Sequence, residues 1–367
     1  MEHFDVVRKA LAGMKSFDAT KHLVIGFDGF VDEIIHVVDK RTSPLEYQRI
    51  QDIKSFSERI ASVAGLSANI ELLPINTKLG GNGPIMANAI IEQGHDVTYI
   101  GALGKPHLHP VFEDFASKCH KVISLTGPGY TDALEFFDGK IMLGKMNNLM
   151  DVNYVNLLEE LSHNEVEDLL GQVDMVAFTN WTMLANLNSI IKAFSKIIGT
   201  LDKKPRVFLD LADPKKRTNE DIREVLDLIS GIPTETILSM NLSESTIISL
   251  ELGIKEDDIL QRAIQIRHKM GIAGIVIHPV NGAAISHDTA NLWLEGPYTP
   301  KPKLTTGAGD NFNAGFCNAW MADLDPGQCL AVGACSSGFY VRNARSANRQ
   351  ELLDFMEQWI DADGRFI

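Results

Sequence analysis

Short, unbroken apolar runs recur along the chain, each closing in turn or polar residues, with amphipathic stretches between them. The runs are Leu23–Phe27, Val97–Ile100, Met175–Phe178, Val207–Leu209, Thr236–Leu238 and Gly274–Ile277. The amphipathic stretches include Asn186–Ile198, Glu220–Ile229 and Ile259–Met270. Strands covered on both faces read as continuous apolar runs, and parallel strands need helical crossovers to join them. The alternation therefore predicts an α/β fold, with helices on both faces of a mostly parallel central sheet in three α/β/α layers. Ligands of such sheets bind outside the carboxyl ends of the strands, so chemistry belongs in the loops that follow these runs.

A second pattern interrupts the first. Asp132–Phe137, Asp138-Gly139 and Lys140–Gly144 read as a hairpin around an Asp-Gly turn. Glu33–Val38 and Ile70–Ile75 also look extended, and both lie before the Gly80-Gly81 turn. These pieces make either a small sheet of about four strands standing off the core or an antiparallel extension of the main sheet. A helical segment over 47–64 falls between two of them without an assigned place. No repeat or low-complexity linker divides the chain. Residues 1–367 thus read as one domain, with the smaller sheet drawn from approximately 32–38, 68–76 and 131–145.

Charge and cysteine usage narrow the function classes. The net charge is −14 and no Lys/Arg-rich block occurs, which argues against a nucleic-acid partner. The short Lys215-Lys216-Arg217 run reads as a solvated loop or a local aid to an anionic ligand. Cys119, Cys317, Cys329 and Cys335 show no C-x-x-C spacing, as expected of reduced thiols in the cytoplasm. The polar start Met1-Glu2-His3-Phe4-Asp5 lacks an apolar signal core, and no apolar run reaches membrane-spanning length. The expectation is a soluble cytoplasmic protein with no membrane partner. His107 and His109 lack a third ligand in register and read as loop residues rather than a zinc site.

The densest chemical signal is Thr305-Thr306-Gly307-Ala308-Gly309-Asp310-Asn311-Phe312-Asn313-Ala314-Gly315-Phe316, followed by apolar sequence to about Trp320. The order places free backbone N–H groups at a helix start, where the helix dipole also favours negative charge. An anion held there would lie beside Asp310, a potential general base. Phosphoryl transfer needs that pairing: donors for the moving phosphoryl group and a carboxylate for the attacking hydroxyl's proton. The plainer alternative is a Gly-rich turn with a capping Asp. Two other sites follow strands. Leu23–Asp32 is a strand, a Gly-containing turn and two carboxylates, and a carboxylate there can accept from two adjacent sugar hydroxyls. Leu79-Gly80-Gly81-Asn82-Gly83-Pro84 opens a helix over Ile85–Gln93, its glycines allowing close backbone approach.

The Thr305–Phe316 segment resembles the C-terminal signature of the ribokinase-like carbohydrate kinases of the PfkB family, and weaker matches follow in order along nearly the whole chain. The resemblance implies a ribokinase-like α/β/α core with the small sheet as a lid over a sugar. It implies that Gly307, Ala308 and Gly309 form an anion hole with Asp310 as catalytic base. Asp32, with Asp28 second, would hold the acceptor together with Gly80, Gly81 and Asn82. Asn241-Leu242-Ser243-Glu244 resembles the family's Asn-x-x-Glu motif, which would make Asn241 and Glu244 organisers of water around Mg²⁺; a plain helix cap remains the alternative. Thr306, Asn241, His278 and Gly282 would meet the nucleotide, ATP as co-substrate, with the Cys335–Val341 helix beside the adenine. Asp213-Pro214 and Arg217 lie where relatives approach the phosphates or acceptor, and turn chemistry explains them equally well.

Three positions depart from the family pattern. Ile85 stands where many relatives carry a sugar-binding Asn, with Asn82 and Asn88 as substitutes. His278 stands where a Thr is usual. Leu304 replaces an Asp that lies near a monovalent cation in some members, which leaves dependence on such an ion open. The expectation is ATP-dependent phosphorylation of a hydroxyl of a sugar or sugar-like small molecule. The alternatives are a nucleoside or vitamin-alcohol kinase of the same family, or a non-catalytic sugar or nucleotide sensor on the same scaffold. A homodimer through exposed strand edges is left open. The missing G-x-G-x-x-G after the first strand and G-x-x-x-x-G-K-[ST] argue against dinucleotide and P-loop enzymes.

Overall fold

The computed structural model describes residues 2–362. In chain order its strands are β1 (His22–Phe27), β2 (Phe30–Arg41), β3 (Tyr47–Arg49), β4 (Leu72–Gly80), β5 (Asp96–Gly101), β6 (Lys121–Ser124) and β7 (Gly129–Glu135). They continue as β8 (Lys140–Lys145), β9 (Met175–Thr179), β10 (Arg206–Asp210), β11 (Thr236–Met240), β12 (Gly274–Ile277), β13 (Gly282–His287) and β14 (Asn291–Glu295). Nine form one sheet in the order β14-β13-β12-β11-β10-β9-β1-β5-β6. From β12 to β6 every neighbour is parallel; β13 and β14 close the far edge as antiparallel strands.

Each apolar run of the sequence lies in one of these strands, and side-chain alternation splits it between two cores. Leu23, Ile25, Val97, Tyr99 and Ala177 pack with helices Asn82–Glu92, Ala308–Met321 and Pro326–Asn343 on one face. Val24, Ile100, Val176, Val207 and Leu238 pack with helices Leu187–Thr200, Asn219–Ser230 and Ile259–Met270 on the other. Burying both faces removes roughly 1.5–3 kcal/mol of hydration cost per large apolar side chain, and Thr98, a polar side chain inside one run, is buried with His22 Nε2 2.9 Å from its hydroxyl. The three-layer α/β/α architecture is thus the one the alternation implied. Among the described residues no helix is long and apolar enough to cross a membrane.

The second sheet has five strands in the order β3-β2-β7-β8, with β4 also paired to β2. The Asp-Gly hairpin forms as read, Phe136 donating to the Gly139 carbonyl. The stretch 47–64, read as helical, divides instead. Tyr47–Arg49 pairs with β2, and only Ile53–Ala61 is helix. Side chains decide this: the Tyr47 hydroxyl lies 2.7 Å from His36 Nδ1, and Arg49 Nη1 2.7 Å from His36 Nε2, binding both residues to β2. Asp52 then starts the helix by accepting the Ser55 amide at 2.7 Å. Ile35, Val37, Ile50, Phe56, Leu134 and Phe136 give this sheet a small core of its own.

Candidate active site

Strand ends β1, β9, β10, β11 and β12 place polar residues along one edge of the large sheet, facing the starts of two helices. The first helix begins at Asn82, three residues earlier than the Ile85 read from sequence. The cause is Asp28, just past β1. Its carboxylate accepts the Asn82 amide at 2.9 Å and the Gly83 amide at 2.8 Å, capping the helix from a distant segment. Asn180, which follows β9, donates to the same carboxylate at 2.6 Å, and the Tyr99 hydroxyl donates to the Asp28 carbonyl at 2.6 Å. Asp28 is 0% exposed. Burial raises its pKa to about 6, against the bonds from Asn180, Gly83 and Asn82.

Glycine is required where these carboxylates meet the backbone. A Cβ on Gly81 would lie 2.9 Å from Asp28 Oδ2, and one on Gly83 2.7 Å from Asp28 Oδ1. A Cβ on Gly80 would collide with the carboxylate of Asp32. Asp32 itself sits on β2, in register with Lys78 of β4 and Thr131 of β7. Burial holds its pKa above the usual value, opposed by the Thr131 hydrogen bond and the Lys78 charge. The Gly80-Gly81-Asn82 turn therefore runs between the two carboxylates nearest the smaller sheet.

The second helix, Ala308–Met321, starts after Gly307, whose φ of 92° lies in the left-handed region. A Cβ there would meet Tyr340 Oη at 2.6 Å and Ile85 Cγ2 at 3.3 Å, and Tyr340 donates to the Thr306 carbonyl at 2.8 Å. Ile85 thus packs behind the turn. The Ala308 amide is committed to the Thr305 carbonyl at 3.1 Å, while among the described residues the Gly309 and Asp310 amides have no internal partner. Those two face outward at the positive end of the helix, where an anion is favoured. Asp310 is 6% exposed, and its Oδ1 accepts from Asn82 Nδ2 at 2.9 Å. The two helix starts are thereby joined through one side chain. Burial, then the charge of Asp210, push the Asp310 pKa well up, with smaller contributions from Asp28 and Glu244 and an opposing one from Asn82.

Asp210, at the end of β10, went unassigned in the sequence, where attention fell on Asp213-Pro214 and Arg217. It accepts from the Ala212 amide at 2.8 Å and from Asn313 Nδ2 at 2.7 Å, and Ser239 in turn donates to Asn313 Oδ1 at 2.8 Å. The signal that could have found it is its place: an acid directly after a buried run. Glu244 is 8% exposed and closes a capping box with Asn241, whose amide donates to it at 2.8 Å. Burial and the charge of Asp210 raise the Glu244 pKa to about 8. Among the described residues no group of three or more potential ligands is close enough to hold a metal directly. Buried acids lacking a base nonetheless suit a hydrated divalent cation, which would relieve their mutual repulsion through its own waters.

Beside the Gly307–Gly309 turn opens a mostly apolar cavity of about 300 Å³. Asn241, His278, Gly282, Thr305, Gly309 and Phe312 line it together with Pro297, Ala334, Gly338 and Val341. The His278 ring stacks on Phe312 at 4.7 Å, its Cε1 3.4 Å from where a Gly309 Cβ would lie. Its Nε2 is shielded from solvent without a partner among the described residues, and burial lowers its pKa to about 4, so the ring is neutral near pH 7. Thr306 is exposed, and its neighbour Thr305 lines the cavity. Of the remaining candidates, Asp213 lies near enough for its charge to help raise the Glu244 pKa; Arg217 stacks over Trp181 at 4.3 Å and pairs with Asp221, and His109 caps the following turn by accepting the Val111 amide.

Comparisons with known proteins show the family and the fold. The chain matches the family described as prokaryotic ketohexokinase over residues 5–359, and it belongs to that family. A ketohexokinase of Haloferax volcanii is 27% identical over 346 residues, 92% of each chain. A ribokinase of Thermotoga maritima superposes with a TM-score of 0.65 at 15% identity, covering 93% of this chain and 100% of that one. An adenosine kinase of Sinorhizobium meliloti gives 0.67 at 15% identity, covering 93% and 99%. At those identities the solved structures speak to fold alone, and the fold is ribokinase-like. Family and fold together make the chain a sugar kinase, a phosphotransferase with an alcohol acceptor.

Proposed function

We propose that the chain phosphorylates a hydroxyl of a ketohexose with ATP as donor, Asp310 acting as base. The observation that carries this reading is the placement of Asp310: a buried carboxylate in the first turn of a helix, beside two unpartnered amides and an open cavity. The nucleotide would lie in that cavity, its base among Pro297, Ala334, Gly338 and Val341 and its phosphates toward Gly309, with Asn241, His278, Gly282 and Thr306 along its length. The acceptor would rest against Asp32 and the Gly80-Gly81-Asn82 turn, covered by the smaller sheet as a lid.

In the reaction the acceptor oxygen forms a bond to the γ-phosphorus as the bond to the ADP oxygen breaks. Its proton passes to the Asp310 carboxylate. An ordinary Asp, with pKa about 3.9, would be a feeble acceptor. The raised affinity that burial and Asp210 give Asp310 brings it nearer the operating range. The Gly309 and Asp310 amides meet the charge that builds on the transferred group. A magnesium ion, held through water by Glu244 and Asp210, would neutralise phosphate charge when bound. The choice of a ketohexose follows the family and the Haloferax volcanii relative.

An acceptor screen with purified protein, ATP and Mg²⁺ tests the reading. Turnover should be greatest with ketohexoses, and Asp310→Asn should lower it about 10²- to 10⁴-fold while the nucleotide still binds. Preference for a nucleoside would overturn the substrate, and near-normal turnover by Asp310→Asn the base.

A further inference from the structure

Two hydrogen-bonded steps connect Asp28 to the reacting carboxylate. Asp28 accepts the Asn82 and Gly83 amides at 2.9 and 2.8 Å, and the Asn82 side chain donates to Asp310 at 2.9 Å. Asp28 is fully buried; Asn180 and the helix start occupy its oxygens, and Tyr99 holds its carbonyl. A side chain so committed is poorly placed to grip a sugar. Burying a carboxylate is costly unless its oxygens are satisfied, so the arrangement implies a use for that charge inside the protein. We propose that Asp28 is a positioning residue: by fixing the first turn of the Asn82–Glu92 helix it aims the Asn82 amide, and through it the Asp310 carboxylate, at the acceptor hydroxyl.

The inference rests on the reading of Asp310 as base, and it makes Asn82 the route by which Asp28 aligns that carboxylate. The groups facing Asp310 are Asp210 at the end of β10, Asp28 after β1, Glu244 on the helix Leu242–Glu251, the amide of Asn82, and the Tyr99 and Tyr340 hydroxyls. Of these the Asn82 amide is the one donor that selects a single carboxylate orientation. It also favours the ionised form, so its loss should move the acid limb of activity upward in pH.

The test is a double-mutant cycle on the full-length protein, measured as kcat, KM and the pH profile of kcat/KM. Asn82→Ala should lower kcat roughly 10- to 100-fold, the scale of a misaligned catalytic group, and shift the acid limb to higher pH. Asp28→Asn should lower kcat on the same scale with little change in KM for the nucleotide, its acid limb shifting less because loss of the Asp28 charge itself lowers the Asp310 pKa, and in kcat the double variant should be no worse than Asn82→Ala alone. Additive losses, or a raised KM for sugar with kcat intact, would overturn the proposal in favour of a direct sugar contact. Should Asp28→Asn fail to fold, Asn180→Ala removes one of its ligands and should still lower kcat several-fold; a wild-type kcat there overturns the proposal equally. Failure of the base reading is distinct: it shows as turnover retained by Asp310→Asn.

Discussion

The two edges of the large sheet carry similar acids in opposite circumstances. At the carboxyl edge Asp28, Asp210, Glu244 and Asp310 crowd together with amides and one another for company, and all four have pKa values pushed up by burial. At the amino edge Glu235 meets the His287 ring at 3.6 Å, Arg206 at 3.0 Å and the Trp320 indole at 3.2 Å, and its pKa falls to about 2. Arg206 also contacts the Trp320 carbonyl and Asp323, binding β10 to the end of the Ala308–Met321 helix. Acids matched by bases fasten a fold. Acids left without bases cost stability, and they persist where a ligand or a reaction supplies what is missing.

The largest test of that contrast is Asp310→Asn. Turnover should drop by about 10²- to 10⁴-fold, the usual worth of general base catalysis, measured by a coupled nucleotide assay. The same variant should melt higher than wild type in alkali. A carboxyl whose folded pKa is raised keeps its proton longer when folded, so stability falls as pH climbs from the ordinary carboxylate value through the raised one. Removing the acid removes that fall, and an unchanged or lower Tm above about pH 8 would count against the carboxyl edge as a strained one.

Magnesium offers a second, smaller test. Glu244 retains its proton to about 8 in the fold. Thermal stabilisation by Mg²⁺ should therefore grow from about pH 6 to about pH 9, and Glu244→Gln should flatten the growth. A cation effect indifferent to pH in wild type would separate Glu244 from the ion.

The amino edge should answer the other way. Glu235→Gln should leave kcat untouched and cost about 1 kcal/mol, allowing for solvent screening of a partly exposed group. Its folded pKa is depressed, so its contribution is present above the ordinary carboxylate value and disappears as pH falls toward about 2. Denaturant melts at two pH values check both statements. Tyr340→Phe, which removes the support under the Thr306 carbonyl, should cost about 1 kcal/mol and lower kcat only a few-fold.

Much of the architecture was legible because buried parallel strands leave no choice of residue. Met175–Phe178 and Gly274–Ile277 can be little else. Tyr47–Arg49 was not legible, since it is a strand only through His36, remote in sequence and polar. At the site, Gly307–Asp310 announced itself as a contiguous motif. The role of Asp28 did not, because the groups it holds lie 54 and 55 residues onward, a relation no local pattern encodes. Asp210 was marked only by its place after a buried run, its partners Asn313 and Glu244 being likewise remote in sequence.

One junction has a mechanical consequence. Strand β4 ends at Gly80, and the helix bearing Asn82 starts after Gly81. No flexible tether separates the rim of the smaller sheet from the amide that touches Asp310. If that rim tilts, the motion arrives at the Asp310 carboxylate within two peptide units, so movement of the smaller sheet and alignment of that acid are geared to the same short lever.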